Sequence, residues 1–365
     1  VKQAEYLLSP HAEPVEALPR NFRQRTLKNI FLHLKKHNVM RAVQFDTTGN
    51  PADVLVLRDV PTPTPAAGEV LIRAKVRAIN PSDVAFIKGA YGIKPHPPCG
   101  AGFEGMGVIE AHGEGVDPAR YPKEMRVSFT AMNGVWQEYI TATASTLIPL
   151  PDAISDETGA QMIVNPFTAW AMLHECGLQS GDWLMLTAGA SAFSQLVLQL
   201  AVQRGINVIC TVRRDDVTEQ LKTMGAAAVI NTATEDLRVR VKELTKYGVK
   251  AVLEAIGGEA GAQALECLTR NGIMLIYGML SWQPIPMHSG LMIFKHLTVR
   301  GFWLTTWMQT APAELQRTAA KELLTLFATG KLTASVDATF DLADFKEAVI
   351  RSETPGRAGK ILLVG

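Results

Sequence analysis

The stretch W-L-M-L-T-A-G-A-S-A-F-S-Q-L-V-L-Q-L-A-V-Q-R-G-I-N-V-I-C-T-V-R-R, from Trp183 to Arg214, decides the reading of this chain. An apolar run, Trp183 to Leu186, meets small residues from Thr187 to Ser191. A helical pattern follows, with Leu196, Val197, Leu200, Ala201 and Val202 on one apolar face. Gly205 stands where a helix end wants a left-handed residue. A second apolar, β-branched run, Val208 to Val212, ends at Arg213-Arg214. Strand, tight turn, helix, strand is the opening unit of a Rossmann-type, doubly wound parallel sheet. Small residues at the turn let backbone N–H groups and the helix N-terminus approach a pyrophosphate. Gly189, Ala190, Ser191 and Ala192 are therefore candidates for a cofactor cradle.

The turn departs from Gly-x-Gly-x-x-Gly: only Gly189 is present, and Ala192 and Ser194 stand where glycine is frequent. A parallel sheet without a cofactor is the plainer reading of this turn alone. The basic pair bears on the choice of cofactor. Where this fold usually carries an acid for the adenosine ribose, Arg213 and Arg214 suit a 2′-phosphate, which points to NADP(H) rather than NAD(H). The alternative is a solvated pair, with Asp215 capping the next helix.

A chain of 365 residues is long enough for two domains. With 47% hydrophobic and 19% charged residues it has the makings of substantial cores. Its net charge of +1 provides no global field toward nucleic acid or an anionic membrane. Cys99, Cys176, Cys210 and Cys267 lie far apart with no C-x-x-C pair, which argues against a disulfide scaffold and a Cys-rich zinc site. They suit a reducing compartment, and no apolar run is long enough to span a membrane.

Residues 1–39 read as a basic extension outside the fold, with Met40 as a natural start. The competing reading is a mitochondrial transit peptide, weakened by Glu5, Glu13 and Glu16. The expected compartment is the cytoplasm, or the mitochondrial matrix if the transit-peptide reading holds. Residues 40–160 show short strands with Gly and Pro turns, which predict a partly open β-barrel. Within them, Asn80-Pro81-Ser82-Asp83 starts a short helix. Asp156 to Leu173 reads as helical, interrupted near Asn165-Pro166. Residues 161–305 alternate helix and strand, with a helix from Glu235 capped by Thr232 and later strands at Ala251 to Ala255, Ile273 to Tyr277 and Leu297 to Gly301. Residues 306–365, with a helix Ala313 to Ala328 and a strand Lys360 to Val364, are expected to return to the first domain. The cleft between the domains is the default active site.

Over nearly all of residues 40–365 the chain resembles the medium-chain dehydrogenase/reductase superfamily, on Ile79-Asn80-Pro81-Ser82-Asp83, Gly89-Ala90-Tyr91-Gly92, Gly102-Phe103-Glu104-Gly105 and Gly181-Asp182. Three further pieces resemble the mitochondrial-type 2-enoyl thioester reductases: Val164 to Leu173, Tyr277-Gly278-Met279, and Ile293 to Leu304. The resemblance implies a GroES-like catalytic domain beside the Rossmann domain. It implies NADPH as cofactor and an enoyl thioester of CoA or acyl carrier protein as substrate. It also assigns residues. Tyr91 and Asn165 take the catalytic positions, and Asn165 also contacts the cofactor. Tyr277, Gly278, Met279, Phe302, Trp303, Leu304 and Lys360 take cofactor or acyl-pocket positions. Ser194 replaces a glycine that many members carry; a hydroxyl there could itself bond a phosphate. Family members commonly pair edge strands, which, with the apolar run Met279 to Phe294, implies a homodimer.

Zinc-dependent members carry a Cys near the position of Asn80 and a His in a Gly-His-Glu run; here the run is Gly102-Phe103-Glu104, and no Cys lies near Asn80. Phenylalanine cannot ligate zinc, so no metal is expected. Reduction of an activated C=C bond fits better. Tyr91 is the candidate proton donor, a phenol that is neutral at pH 7. The alternatives are a quinone or α,β-unsaturated carbonyl reductase on the same fold, and, from another class, a cofactor-binding structural or RNA-binding protein without useful turnover.

Overall fold

The computed structural model describes residues 39–131 and 134–365. Both readings of the N-terminal segment before Val39 lie outside the described residues. No helix of the described residues is long and apolar enough to cross a membrane.

Six parallel strands form one sheet, in the order Ala228–Asn231, Asn207–Val212, Trp183–Leu186, Val249–Glu254, Leu268–Ile276, Thr298–Gly301. Their apolar, β-branched runs suit a sheet covered by helices on its faces. Trp183–Leu186 comes first in the chain but lies third in the sheet, so later strands extend it in both directions. The strand order thus reverses beside Trp183–Leu186, which opens a crevice at the carboxyl ends of the strands. The helix after the turn, Ala192–Gln203, buries Leu196, Val197, Leu200 and Ala201. Val202 departs from the expected apolar face and is 37% exposed. Gly205 adopts the left-handed backbone its position called for, with φ of 71°.

The other sheets make the partly open barrel. Seven strands include the path Val336–Asp341, Lys360–Val364, Glu69–Ile79, Glu104–His112, Arg126–Thr130, Ile148–Pro149, with Tyr139–Thr143 also paired to Glu69–Ile79. Three more, Leu55–Pro61, Val39–Phe45 and Cys99–Gly100, form a small antiparallel sheet. Val43 N–H donates to Trp136 O at 2.9 Å and joins the small sheet to the loop before Tyr139.

Three local expectations change. The break in the Asp156–Leu173 region falls at residues 160–163, not at Asn165-Pro166: one helix is Asp156–Gly159 and the next runs unbroken over Val164–Cys176. Pro166 sits in the first turn of that helix, where its missing N–H costs no intrahelical bond. The helix expected from Glu235 begins at Leu237, and its cap is Asp236, which accepts from the N–H groups of Arg238 and Val239. The return to the barrel also comes later than residue 306. Helix Ala313–Ala328 lies on Val164–Cys176, where Glu322 accepts from Trp170 Nε1 at 2.7 Å and from Arg204 at 3.1 Å. The chain rejoins the barrel sheet at Val336–Asp341.

Candidate active site

The turn after Trp183–Leu186 is compact because its residues are small. Gly189 N–H donates to Thr211 O at 2.8 Å, and a Cβ at Gly189 would lie 2.6 Å from Cys210 Cβ. Only glycine lets the turn pass so close to the neighbouring strand. Ala190, Ser191 and Ala192 remain partly exposed at the start of the helix. Ser191 caps that helix, its Oγ accepting from Ser194 N–H at 3.1 Å. Ser194 itself is fully buried, and its hydroxyl reaches Thr187 O at 3.3 Å. It is spent under the turn, which removes it as a phosphate ligand.

Arg213 is exposed and Arg214 partly so, immediately past Asn207–Val212. Arg214 pairs with Asp216 at 3.2 Å on the surface. An exposed pair of this kind is worth about 0–1 kcal/mol, too little to withhold the guanidinium from a phosphate. Asp215 accepts from Asn231 Nδ2 at 2.8 Å and so is turned to the neighbouring strand rather than capping a helix with its side chain. Small residues at a helix N-terminus, followed by a basic pair at the next strand end, fit a dinucleotide carrying a 2′-phosphate.

Tyr91 comes from the barrel side and Trp303 from the end of the parallel sheet, and they meet. Trp303 Nε1 donates to Tyr91 Oη at 2.7 Å, with the rings edge to face at 5.7 Å. Gly92 eases this fit, because a Cβ there would stand 3.2 Å from the indole and press the ring aside by a few tenths of an ångström. An indole N–H can only donate, so the phenol oxygen is the acceptor and the Tyr91 proton is left to give elsewhere. Burial pushes the Tyr91 phenol up; the Trp303 bond pulls it down, Asp83 raises it and Thr305 lowers it. The phenol therefore keeps its proton at neutral pH. Thr305 was not apparent from the sequence, because one more hydroxyl in an amphipathic segment carries no local signal. A cleft of about 380 Å³ lies on the Trp303 side, lined by Glu175, Arg300, Phe302, Trp303, Thr306 and Trp307 among others; Tyr91 is not part of its lining.

Asn165 lies in the first turn of Val164–Cys176, partly exposed. That helix start is held by Glu104, whose Oε2 accepts from Val164 N–H at 2.8 Å and Ile163 N–H at 3.2 Å. Glu104 Oε1 accepts from Asn80 Nδ2 at 2.8 Å, and Asn80 Oδ1 accepts from Lys360 Nζ at 2.5 Å. Lys360 is thus buried inside a polar cluster, its ammonium engaged by Asn80 rather than presented to the cleft. A lone carboxylate in the apolar run Gly102 to Ile109 was the available signal for Glu104.

Other expected contacts divide. Met279 is 44% exposed beside the crevice, and Gly278 packs where a Cβ would lie 2.9 Å from Ala255 O. Tyr277 packs against Phe193 with ring centroids 4.3 Å apart and tilted by 40°, and burial pushes its phenol up while a bond to Ser194 opposes the rise. Phe302 is buried, and Leu304 rests against the core around Val164–Cys176.

The zinc positions are filled by other contacts. Phe103 packs its ring against Phe86 at 5.2 Å and Tyr91 at 5.5 Å. Glu104 is fully engaged by N–H donors. Metal analysis of purified protein should find no stoichiometric zinc, and chelator should leave activity intact. Zinc at one per chain, with chelator-sensitive activity restored by zinc, would overturn this expectation.

Two family descriptions match, the alcohol dehydrogenase GroES-like domain over residues 66–152 and the zinc-binding dehydrogenase over residues 193–324. The human mitochondrial enoyl-[acyl-carrier-protein] reductase is 31% identical over 331 residues, 89% of this chain and 88% of that protein. A putative NADPH:quinone reductase from Bacillus thuringiensis superposes with a TM-score of 0.84 at 33% identity, covering 90% of this chain and 99% of its own. The ETR1P complex with NADP and crotonyl-CoA superposes with a TM-score of 0.80 at 27% identity, covering 90% of this chain and 100% of its own.

Proposed function

We propose that this chain, which belongs to the medium-chain dehydrogenase/reductase superfamily of oxidoreductases, uses NADPH to reduce the C=C bond of trans-2-enoyl thioesters of CoA or acyl carrier protein. The observation that carries this reading is the 2.7 Å hydrogen bond from Trp303 to Tyr91, which leaves a neutral phenol with an uncommitted proton. Bound NADPH supplies the hydride that goes to the β-carbon. Negative charge then gathers on the thioester oxygen, and the Tyr91 O–H is placed to donate to it or to the α-carbon. The Trp303 N–H stabilises the tyrosinate that remains until solvent returns the proton. Asn165, on a helix start fixed by Glu104, positions the cofactor against this proton donor. Arg213 and Arg214 take the 2′-phosphate, and the turn Gly189 to Ala192 takes the pyrophosphate. Membership of an oxidoreductase family, with Tyr91 in place, removes the motive for a cofactor-binding protein without turnover.

The likeness to a quinone reductase favours one second reading, a quinone or enone acceptor in the same cleft. An NADPH-oxidation screen over crotonyl-CoA, longer trans-2-enoyl thioesters, simple quinones and free enones separates the two. Turnover of enoyl thioesters supports the first. Activity on quinones alone replaces it with the second.

The same reading includes a homodimer. Thr298–Gly301 is the last strand of the parallel sheet, and its outer edge is open among the described residues. Beside it, Leu280, Trp282, Met287, Ile293 and Phe294 are 53–77% exposed. A second copy pairing at this edge would cover both liabilities at once. Light scattering at micromolar concentration should give twice the 39.7 kDa chain mass, and a monomer would count against the proposal.

A further inference from the structure

The cluster behind Asn165 holds a carboxyl group that the mechanism leaves unused. Asp83 is fully buried on the helix Pro81–Ile87. Its Oδ2 accepts from Asn80 N–H at 2.6 Å, while Oδ1 has no hydrogen-bond partner. Around it stand Glu104 from strand Glu104–His112, Lys360 from strand Lys360–Val364, and Tyr91 from the loop that follows its own helix; Arg357 lies beyond Lys360. Two carboxyls and one ammonium cannot all be charged without a net negative charge in a region closed to water. Geometry decides which carboxyl carries the proton. Glu104 is surrounded by three N–H donors, which require it to accept with both oxygens. Asp83 has a bare oxygen. A naked buried oxygen is far cheaper on a neutral acid than on a carboxylate.

We propose that Asp83 is held as a neutral carboxylic acid and acts as a positioning residue: its proton keeps the Asn80–Glu104–Lys360 cluster balanced, and so keeps Glu104 on the start of the Asn165 helix. Once ionised, Asp83 repels Glu104 and competes with it for Lys360, which loosens the only carboxylate cap seen on that helix start among the described residues. Burial, and then the neighbouring Glu104, push the Asp83 carboxyl up from 3.8 to about 8 against the Asn80 and Phe103 N–H groups and Lys360, which favour its charged form. What Asn165 does for catalysis rests on the reductase reading; the protonation of Asp83 does not.

An acid with a raised native pKa binds its proton more tightly when folded. Its contribution to stability is complete below about 4, is lost as pH rises toward about 8, and is constant above that. Chemical denaturation of wild type and Asp83→Asn across pH 5–9.5 isolates this group, because the other titrations are common to both. The ratio of the wild-type unfolding constant to that of the variant should rise about tenfold per pH unit up to roughly pH 7.5 and then level off. A pH-independent ratio overturns the proposal. Infrared difference spectra of the wild type between pH 6 and 9.5 need no variant: a protonated-carboxyl C=O band should disappear as pH passes about 8, and its absence at pH 6 overturns the proposal. The positioning role is read in turnover with whichever acceptor the screen finds. The wild-type kcat should fall above about pH 8, and Asp83→Asn should lack that limb. A limb shared by both proteins would leave Asp83 a packing residue and reject the positioning role, while an enzyme inert on enoyl thioesters would reject the substrate reading and leave the infrared and unfolding results standing.

Discussion

Tyr91→Phe should lower the rate on a trans-2-enoyl thioester by about 10²–10⁴-fold, the usual worth of a positioned acid. That is roughly 3–5 kcal/mol of transition-state stabilisation. The change is conservative in every other respect. The ring still packs against Phe103 and meets the Trp303 indole edge to face, and only the oxygen that accepts from Trp303 Nε1 is lost. Trp303 is 36% exposed, so its indole N–H can turn to water and stability should change by less than about 1 kcal/mol. NADPH affinity should stay near wild type, because the phenol does not hold the adenosine half. kcat and kcat/KM should fall together, as expected when an interaction is made mainly in the transition state. Quinone reduction needs no protonation at carbon and should suffer much less. Steady-state kinetics of the purified variant on crotonyl-CoA would check this. An unchanged rate would take Tyr91 out of the mechanism.

The second large effect belongs to the cofactor. Replacing Arg213 and Arg214 together by alanine should weaken NADPH binding by about 10²-fold or more and leave NADH nearly unchanged. A charge-assisted hydrogen bond contributes about 1.5–3 kcal/mol, and a guanidinium can bind a phosphate through two parallel N–H groups. Arg214 gives up only a surface pair with Asp216 when it turns to a ligand, so the gain is not offset by a buried partner left behind. The pair lies past the strand end, away from the core, and the fold should tolerate its loss. Fluorescence titration with each nucleotide gives the two affinities. Equal losses for NADPH and NADH would show that the pair supports the whole dinucleotide and does not read the 2′-phosphate. A loss with Arg214→Ala alone would place the contact on the residue nearer Gly356, where a Cβ would stand 3.3 Å from an Arg214 nitrogen.

By itself the sequence determined the parallel sheet and its crevice. Local patterns were enough there: an apolar run, small residues, a 3.6-residue periodicity and a glycine at the helix end fix Trp183–Leu186, Ala192–Gln203 and Asn207–Val212 with little help from distant contacts. The basic pair was legible for the same reason, since its place follows directly from where a strand ends. Tyr91, Asn165 and Trp303 were singled out through resemblance, as members of quoted motifs, and their roles are part of the proposal. What only the tertiary structure decided are contacts between segments far apart in the chain. Trp303 meets Tyr91 across 212 residues, and Lys360 meets Asn80 across 280. No periodicity encodes such pairs: the first depends on how the barrel and the parallel sheet are set against each other, the second on the pairing of Lys360–Val364 with Glu69–Ile79 inside the barrel. The same is true of side-chain direction. Ser194 turned inward because its hydroxyl found Thr187 O under the turn, and Lys360 turned inward because Asn80 accepts from its ammonium beside the buried Glu104 carboxylate. Helix limits moved for a related reason: Glu104, sixty residues upstream, caps Val164–Cys176 and lets that helix run through Asn165-Pro166, where the local sequence alone argued for a break.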